Sequence, residues 1–382
     1  MFARILVVIT AIAIASGPPA ASAQQGGPIK IGAIFSVTGP ASFLGAPEAK
    51  TLEMMVEQIN AAGGVAGRQI EVLVRDSGAN PQKAISLAKQ LIEEEQVFAI
   101  IGPSTSGESM QLKGICNEAR TLLISCAAAE DIVNPVAPYV FKTPQKDSDA
   151  VRRIYETMNE LGITTIGVTS SNTGFGSAGK AQLEQLAPEY GIQIAISEVY
   201  DKTATDLTSV VTKVQATGVQ AVVNWSIEPA QSIIAKNLRQ IGFEGPLFQS
   251  HGFGNIQYAR EAGPAAEGIV FPAGRLLVAS VLPDDHPQKS VLVQYKTDYE
   301  SRYGEDVSTF GGHAYDAMLL LLKAIELSGG EREQARAALE TITGLVGTAG
   351  IFNLSPTDHC GLDKNAFEML TVKDGAFAVY EH

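Results

Sequence analysis

The sequence predicts an α/β protein of two doubly wound lobes with a cleft between them, and three observations carry that reading. Short β-branched runs alternate with longer segments of helical periodicity, the pattern of a parallel sheet covered by helices. The alternation runs once from Ile29 to Ile124 and restarts after Pro144. Residues 24–382 also exceed what one hydrophobic core normally serves, and a hydrophobic content of 45% is enough to fill two.

Taken in order, Ile29–Val37 reads as a strand, and Leu52, Met55, Val56 and Ile59 recur at helical spacing until Gly63 and Gly64 stop the helix. Ile70–Val74 is the next strand, and Ala84, Leu87, Ala88, Leu91 and Ile92 mark a helix face. Val97–Ile101, a helix from Glu108 to Ala119 and the strand Leu122–Ile124 complete one unit. In the second unit Val151, Ile154, Met158 and Leu161 give a helix, Ile163–Val168 a strand, and Ala181–Leu186 part of another helix. Ile192–Ile196, Val210–Val214, Ala221–Trp225, Ile233–Leu238 and Pro246–Gln249 continue the series, which ends near Ile269–Pro272. A helix at Tyr295–Tyr303 and the strongly apolar Ala314–Ile325 then need a lobe to join.

The chain opens with Arg4, an apolar run Ile5–Ala15, and the small-residue triplet Ala21, Ser22, Ala23. That pattern is a secretory signal peptide over residues 1–23, cleaved after Ala23, and it predicts a periplasmic protein. The run is too short for the ~20 residues that span a bilayer, so no membrane insertion is expected. The formal charge is −13, and losing Arg4 with the leader makes it −14, which repels phosphates and argues against nucleic acid partners. Three cysteines, Cys116, Cys126 and Cys360, are too few for a disulfide scaffold or a zinc ribbon; a Cys116–Cys126 bridge is the one pairing worth weighing.

The sharpest local feature is Gly102-Pro103-Ser104-Thr105-Ser106-Gly107, directly after a strand and at the start of a helix. Free amides at a helix start, with hydroxyls beside them, suit a carboxylate; the alternative is an ordinary N-cap and turn. Gly174-Phe175-Gly176-Ser177-Ala178-Gly179 matches the dinucleotide fingerprint, but its first glycine comes several residues after the strand ends, whereas the pyrophosphate turn needs it at once. It reads better as a helix start lining a cleft, with no cofactor. Gly102, Ser104 and Ser106 stop one residue short of a nucleophile elbow, and no zinc helix or phosphate loop occurs, so neither metal nor catalytic residues are expected. Of five scattered histidines, His251 stands apart in Ser250-His251-Gly252-Phe253-Gly254, just past a strand end, where α/β sheets present ligand groups.

Several segments together resemble the leucine/isoleucine/valine-binding family of type I periplasmic binding proteins. They are Ile29–Gly39 with Pro40, the run Ile59-Asn60-Ala61-Ala62-Gly63-Gly64-Val65-Ala66-Gly67-Arg68, Gly102–Ser106, Ile124–Ala129, Tyr139–Thr143 and Gly311–Ala317. The resemblance implies two Rossmann-like lobes joined by three hinge crossings, closure around a small ligand, and delivery to an ABC transporter permease by a monomeric, non-enzymatic protein. It divides the chain into residues 28–146 plus 275–350 as one lobe and 147–274 plus 351–382 as the other.

Carried over position by position, the resemblance implies that Ser106 holds the ligand carboxylate with Ser104, Thr105 and the backbone of Ala127, Ala128 and Ala129. Ala129 stands where amino acid binders usually have a threonine. Phe43 or Leu44, Phe175 and Trp225 form apolar walls. His251 aligns with the acidic residue that pairs with the α-ammonium of an amino acid. An ammonium buried without a counter-charge loses several kcal/mol, about tenfold in affinity per 1.4 kcal/mol. The expected ligand is therefore an aromatic or keto carboxylate, in keeping with relatives that bind lignin-type aromatic acids. The alternatives are a branched-chain or other amino acid, a sensor module acting on a receptor, and an exported hydrolase, which predicts ester turnover.

Overall fold

The computed structural model describes residues 27–381, so the expected leader and its cleavage after Ala23 lie outside it. The first sheet is built from β1 (Ile29–Phe35), β2 (Ile70–Asp76), β3 (Ala99–Ile101), β4 (Leu122–Ser125) and β5 (Val140–Lys142) in the order β2-β1-β3-β4-β5, with all neighbours parallel. Helices α1 (Ser42–Ala61), α2 (Pro81–Glu93) and α3 (Ser106–Glu118) make its crossovers. Every residue of β3, β4 and β5 is buried, which is why β3 and Leu122–Ile124 of β4 read as continuous apolar runs and not as alternation; β5 buries Lys142 as well.

After α4 (Asp147–Glu160) the second sheet repeats the plan with β6 (Thr165–Ser171), α5 (Gly174–Leu186), β7 (Gln193–Tyr200), α6 (Thr208–Ala216), β8 (Ala221–Trp225), α7 (Ala230–Gln240), β9 (Leu247–Gln249), α8 (Ile256–Ala262) and β10 (Val270–Ala273). Its parallel part runs β7-β6-β8-β9-β10, the same winding as the first sheet. The C-terminal helices α9 (Lys289–Tyr303), α10 (Thr309–Ser328) and α11 (Arg332–Leu339) and the small hairpin β11 (Leu345–Val346) and β12 (Ile351–Phe352) follow. The antiparallel pair β13 (Glu368–Lys373) and β14 (Ala376–Val379) then extends the second sheet beside β10.

Two apolar cores result. One gathers β1–β5 and α1–α3 with Ala314, Ala317, Leu320, Leu321 and Ile325 of α10, which answers where the apolar C-terminal helix packs. The other surrounds β6–β10 and takes in Phe367, Met369 and Leu370. Phe352, Leu354, Cys360 and Leu362, expected with the second lobe, pack in the first core, so the last crossing falls near residues 366–367. The chain thus passes between lobes three times, after β5, after β10 and before β13. At the first passage Gln145 Nε2 donates to the Ala349 carbonyl (2.8 Å) and Lys146 pairs with Asp358 (3.0 Å).

All three cysteines are free and buried, so the Cys116–Cys126 bridge does not form. Cys116 faces the core from α3, whereas Cys126 sits past the end of β4 and turns to the cleft. No described helix is long and apolar enough to cross a membrane.

Candidate functional site

The lobes are closed on one another. Asn255 Nδ2 donates to the Phe43 carbonyl (3.1 Å), the Thr309 amide to the Gly254 carbonyl (3.0 Å), and Arg260 pairs with Asp306 (2.7 Å). Phe43 of the first lobe meets Tyr258 of the second edge-on at 5.1 Å.

Between the sheets lies an inner cavity of about 20 Å³, lined among others by Leu44, Ser106, Ala127, Phe175, His251 and His313. Ser104, Ala128, Cys126, Ile227, Gly252 and Phe310 complete its wall. An outer chamber of about 200 Å³ shares Ser106, Phe175 and Ile227 with it and reaches Thr105, Asn172, Lys202 and Glu228. A much larger crevice, about 880 Å³, runs instead along the three crossings, where Lys146, Arg152 and Arg275 mingle with Asp149, Asp358 and Asp363. Its charge is mixed, whereas the inner cavity, though far smaller, takes its lining from both lobes and sets a few convergent polar groups among apolar walls, as small-molecule sites do.

The loop Gly102–Ser106 reaches this cavity because β3 ends at Ile101 and α3 starts at Ser106. Gly102 adopts φ +94, and a Cβ there would stand 2.2 Å from the Ile34 carbonyl oxygen, so only glycine fits. Thr105 is the N-cap: its hydroxyl donates to Glu108 (2.6 Å) and accepts from the Glu108 amide (3.4 Å). Ser104 Oγ accepts from the Ser36 amide (3.0 Å) and is bonded to Glu48. Among the described residues Ser106 Oγ accepts the Ala129 amide alone (3.1 Å), which leaves its hydrogen for the cavity. The first-turn amides of Ser106 and Gly107 lie beside it, beyond the reach of any intrahelical carbonyl.

The start of α5 faces the same place from the other lobe. Thr173 caps it through the Gly176 amide (3.1 Å), and Phe175 lines both chambers. The three glycines of the fingerprint-like run are there for close approach. A Cβ on Gly174 would stand 2.9 Å from the Gly107 backbone across the cleft, one on Gly176 2.0 Å from the Ser171 carbonyl, and one on Gly179 2.0 Å from the Trp225 indole.

His251 lies past β9, in edge contact with Phe175 (5.3 Å), Trp225 (5.6 Å) and Phe367 (5.5 Å). It is 6% exposed, and neither ring nitrogen has a hydrogen-bond partner among the described residues. Burial, with the charge of Lys142 and then His313, holds it well below the ordinary imidazole range, so it is neutral. Asp147 lies 3.6 Å from its Nε2, and burial raises that carboxyl to about 8 despite Lys142. His313 enters from α10 of the opposite lobe, also with an unpartnered Nδ1, and burial followed by Lys142 depresses it to about 3. Lys142 itself donates to the carbonyls of Ala128 and Gln145, the latter at 3.1 Å, and so ties down the backbone after β4.

Most residues singled out from sequence converge here, with differences of role. Ser104, Ser106, Ala127, Ala128, Phe175 and His251 line the inner cavity, and Thr105 lines the outer one. Ala129 stands behind Ser106 and orients it. Trp225 lies one layer back, 5.7 Å from Phe175, and Leu44 rather than Phe43 touches the cavity. His313 and Phe310 were not singled out as site residues, because they belong to a helix whose periodicity reads as core.

A family model described as periplasmic binding protein matches residues 28–375. The chain is 25% identical over 359 residues to a leucine-, isoleucine-, valine-, threonine- and alanine-binding protein of Pseudomonas aeruginosa, covering 92% of this chain and 89% of that one. Among solved structures, an extracellular ligand-binding receptor from Rhodopseudomonas palustris HaA2 superposes with a TM-score of 0.88 at 28% identity, covering 93% of this chain and 100% of that one. A solute-binding protein of an ABC transporter from Rhodopseudomonas palustris BisB5, in complex with 3,4-dihydroxybenzoic acid, gives 0.80 at 18% identity over 93% and 96%, a likeness of fold alone.

Proposed function

Because this chain belongs to the periplasmic binding protein family, whose members are solute-binding proteins of ABC-type transporters, we propose that it carries a small aromatic or keto carboxylate to its permease. The observation that carries this reading is the wall of the inner cavity, which has neutral imidazoles from both lobes and no acidic side chain. The ligand carboxylate is received by Ser106, the first-turn amides of α3 and the Ala127–Ala128 backbone, while Leu44, Phe175, Ile227 and Phe310 cover its body. His251 and His313 meet the far end. A neutral imidazole both donates and accepts, which suits a hydroxyl or keto oxygen and leaves an ammonium without a counter-charge. Lobe closure then presents both lobes to the permease.

A second reading, an aliphatic amino acid as cargo, is favoured by the name of the Pseudomonas aeruginosa relative. Thermal-shift measurements with 4-hydroxybenzoate, benzoate, 4-methyl-2-oxopentanoate and leucine separate the two, since a ligand of the folded state raises the melting point by mass action. Stabilisation by the aromatic or keto acids and not by leucine is the expected result; stabilisation by leucine alone overturns it. A receptor-bound sensor would bind the same ligands and is told apart by whether the closed protein stimulates ATP hydrolysis by its permease complex.

A further inference from the structure

Behind Ser104 lies a buried carboxyl that the proposed function does not use. Glu48, on α1, has no exposure; its Oε2 is bonded to Ser104 Oγ and its Oε1 has no partner. Ser104 Oγ also accepts the Ser36 amide at 3.0 Å, and an amide can only donate, so one of its two acceptor positions is taken. The direction of the Glu48 bond therefore decides what the hydroxyl can do. If the carboxylate is ionised, the Ser104 hydrogen is bound to it and a negative charge sits one residue behind the anion seat. If Glu48 carries a proton, its O–H fills the second acceptor position of Ser104, and the Ser104 hydrogen turns to the cavity that Ser104 lines.

We propose that Glu48 is a positioning residue held as a neutral acid, donating to Ser104 so that the serine hydroxyl is free for a carboxylate ligand, and that its ionisation switches this off. The inference rests on the carboxylate seat of the proposed function but not on the far end of the ligand. Burial first, and the nearby Glu108 carboxyl as well, hold Glu48 well above the usual carboxylate range, against the opposing bond to Ser104. The titratable groups facing it are Glu108 from α3 and Cys126 from the end of β4, with Asp316 of α10 beyond Cys126, and none is a cation that would favour the ionised form. Glu108 is in turn bonded by the hydroxyls of Ser36 (3.2 Å) and Thr105 (2.6 Å), so the same polar cluster ties α1, α3 and the end of β1 together.

The sign follows directly. Binding that needs the Glu48 proton is complete below its folded pKa and falls as pH rises through it, by up to about tenfold per pH unit. The test has two arms on the mature protein and on Glu48→Gln and Glu48→Leu, the first of which keeps the shape and supplies a fixed amide donor. In the ligand-free protein, infrared difference spectra between wild type and Glu48→Gln at neutral pH should contain a protonated-carboxyl C=O band; no such band overturns the proposal. In calorimetric titrations with 4-hydroxybenzoate and, in parallel, leucine from about pH 6 to about pH 9, the wild type should weaken with pH and Glu48→Gln should not, while Glu48→Leu binds weakly throughout. Equal pH profiles for wild type and Glu48→Gln overturn the proposal. Because both probes carry a carboxylate, binding of leucine in place of 4-hydroxybenzoate sinks the aromatic reading and still measures the Glu48 profile; if neither binds, 4-methyl-2-oxopentanoate takes their place in the same titration, and its failure too sinks the carboxylate seat and this inference with it.

Discussion

On the proposed reading, position 251 decides which charge the cleft accepts. The imidazole is buried among Phe175, Trp225 and Phe367 and is neutral, so exchanging it for a carboxylate changes the electrostatics at one point and little else. His251→Glu is expected to shift preference from keto acids to the matching amino acids, measured as the ratio of their dissociation constants; an unchanged ratio would remove His251 from the pocket. At the other end, Ser106 Oγ is held by the Ala129 amide with its hydrogen unspent. Ser106→Ala should weaken any carboxylate ligand by about 1–2 kcal/mol in calorimetry, the worth of one hydrogen bond to a charged group. Sequence reasoning reached both residues, because one sits at a helix start and the other in a glycine-flanked strand end. His313 was out of its reach: it lies among Gly311, Gly312, Ala314 and Ala317 on a buried helix, and only the tertiary fold turns that helix toward His251.

Among the elements, the starts of α3 and α5 meet backbone to backbone at Gly107 and Gly174. A methyl group at 174 would prop them apart, so Gly174→Ala should lower ligand affinity in titration while leaving the melting point of the ligand-free protein nearly unchanged. Gly179→Ala is the contrasting case, since its methyl would collide with the Trp225 indole inside one lobe. That change should lower the melting point, by an overpacking cost of about 1–3 kcal/mol. The periodic helices and the longer strands were legible in sequence because burial imposes their pattern. The strand Val140–Lys142 was not identified as one, because its short apolar run ends on a lysine, which the fold nevertheless buries; the local hairpin β13–β14 over Asp374–Gly375 was missed outright, and its place beside β10 depends on a partner far away in the chain. The free state of Cys116 and Cys126 likewise depends on which way α3 and the end of β4 face, which spacing alone does not fix.

For the whole molecule, the buried acids set how stability varies with pH. Burial raises Asp147 to about 8 and Asp316 to about 7, so the folded chain keeps protons that the unfolded chain releases from about pH 4 upward. Each group therefore subtracts stability progressively as pH rises from about 4 toward its folded value. Asp147→Asn, which keeps the shape and removes the titration, should raise the melting point by more at about pH 8 than at about pH 5; a constant difference would mean that Asp147 ionises normally. The cleft also divides its work unequally between lobes. Ser106, Ala127 and Ala128 belong to the first, with Leu44, Phe310 and His313, whereas Phe175 at the start of α5 and Ile227 and His251 past strand ends belong to the second. On the proposed reading, the grip on the carboxylate is written in the first half of the protein alone, whereas the identity of the cargo is written in both. On that reading, a lineage that exchanges one cargo for another must edit side chains on both halves together, while the handle by which every cargo is held, and the permease that accepts it, stay as they were.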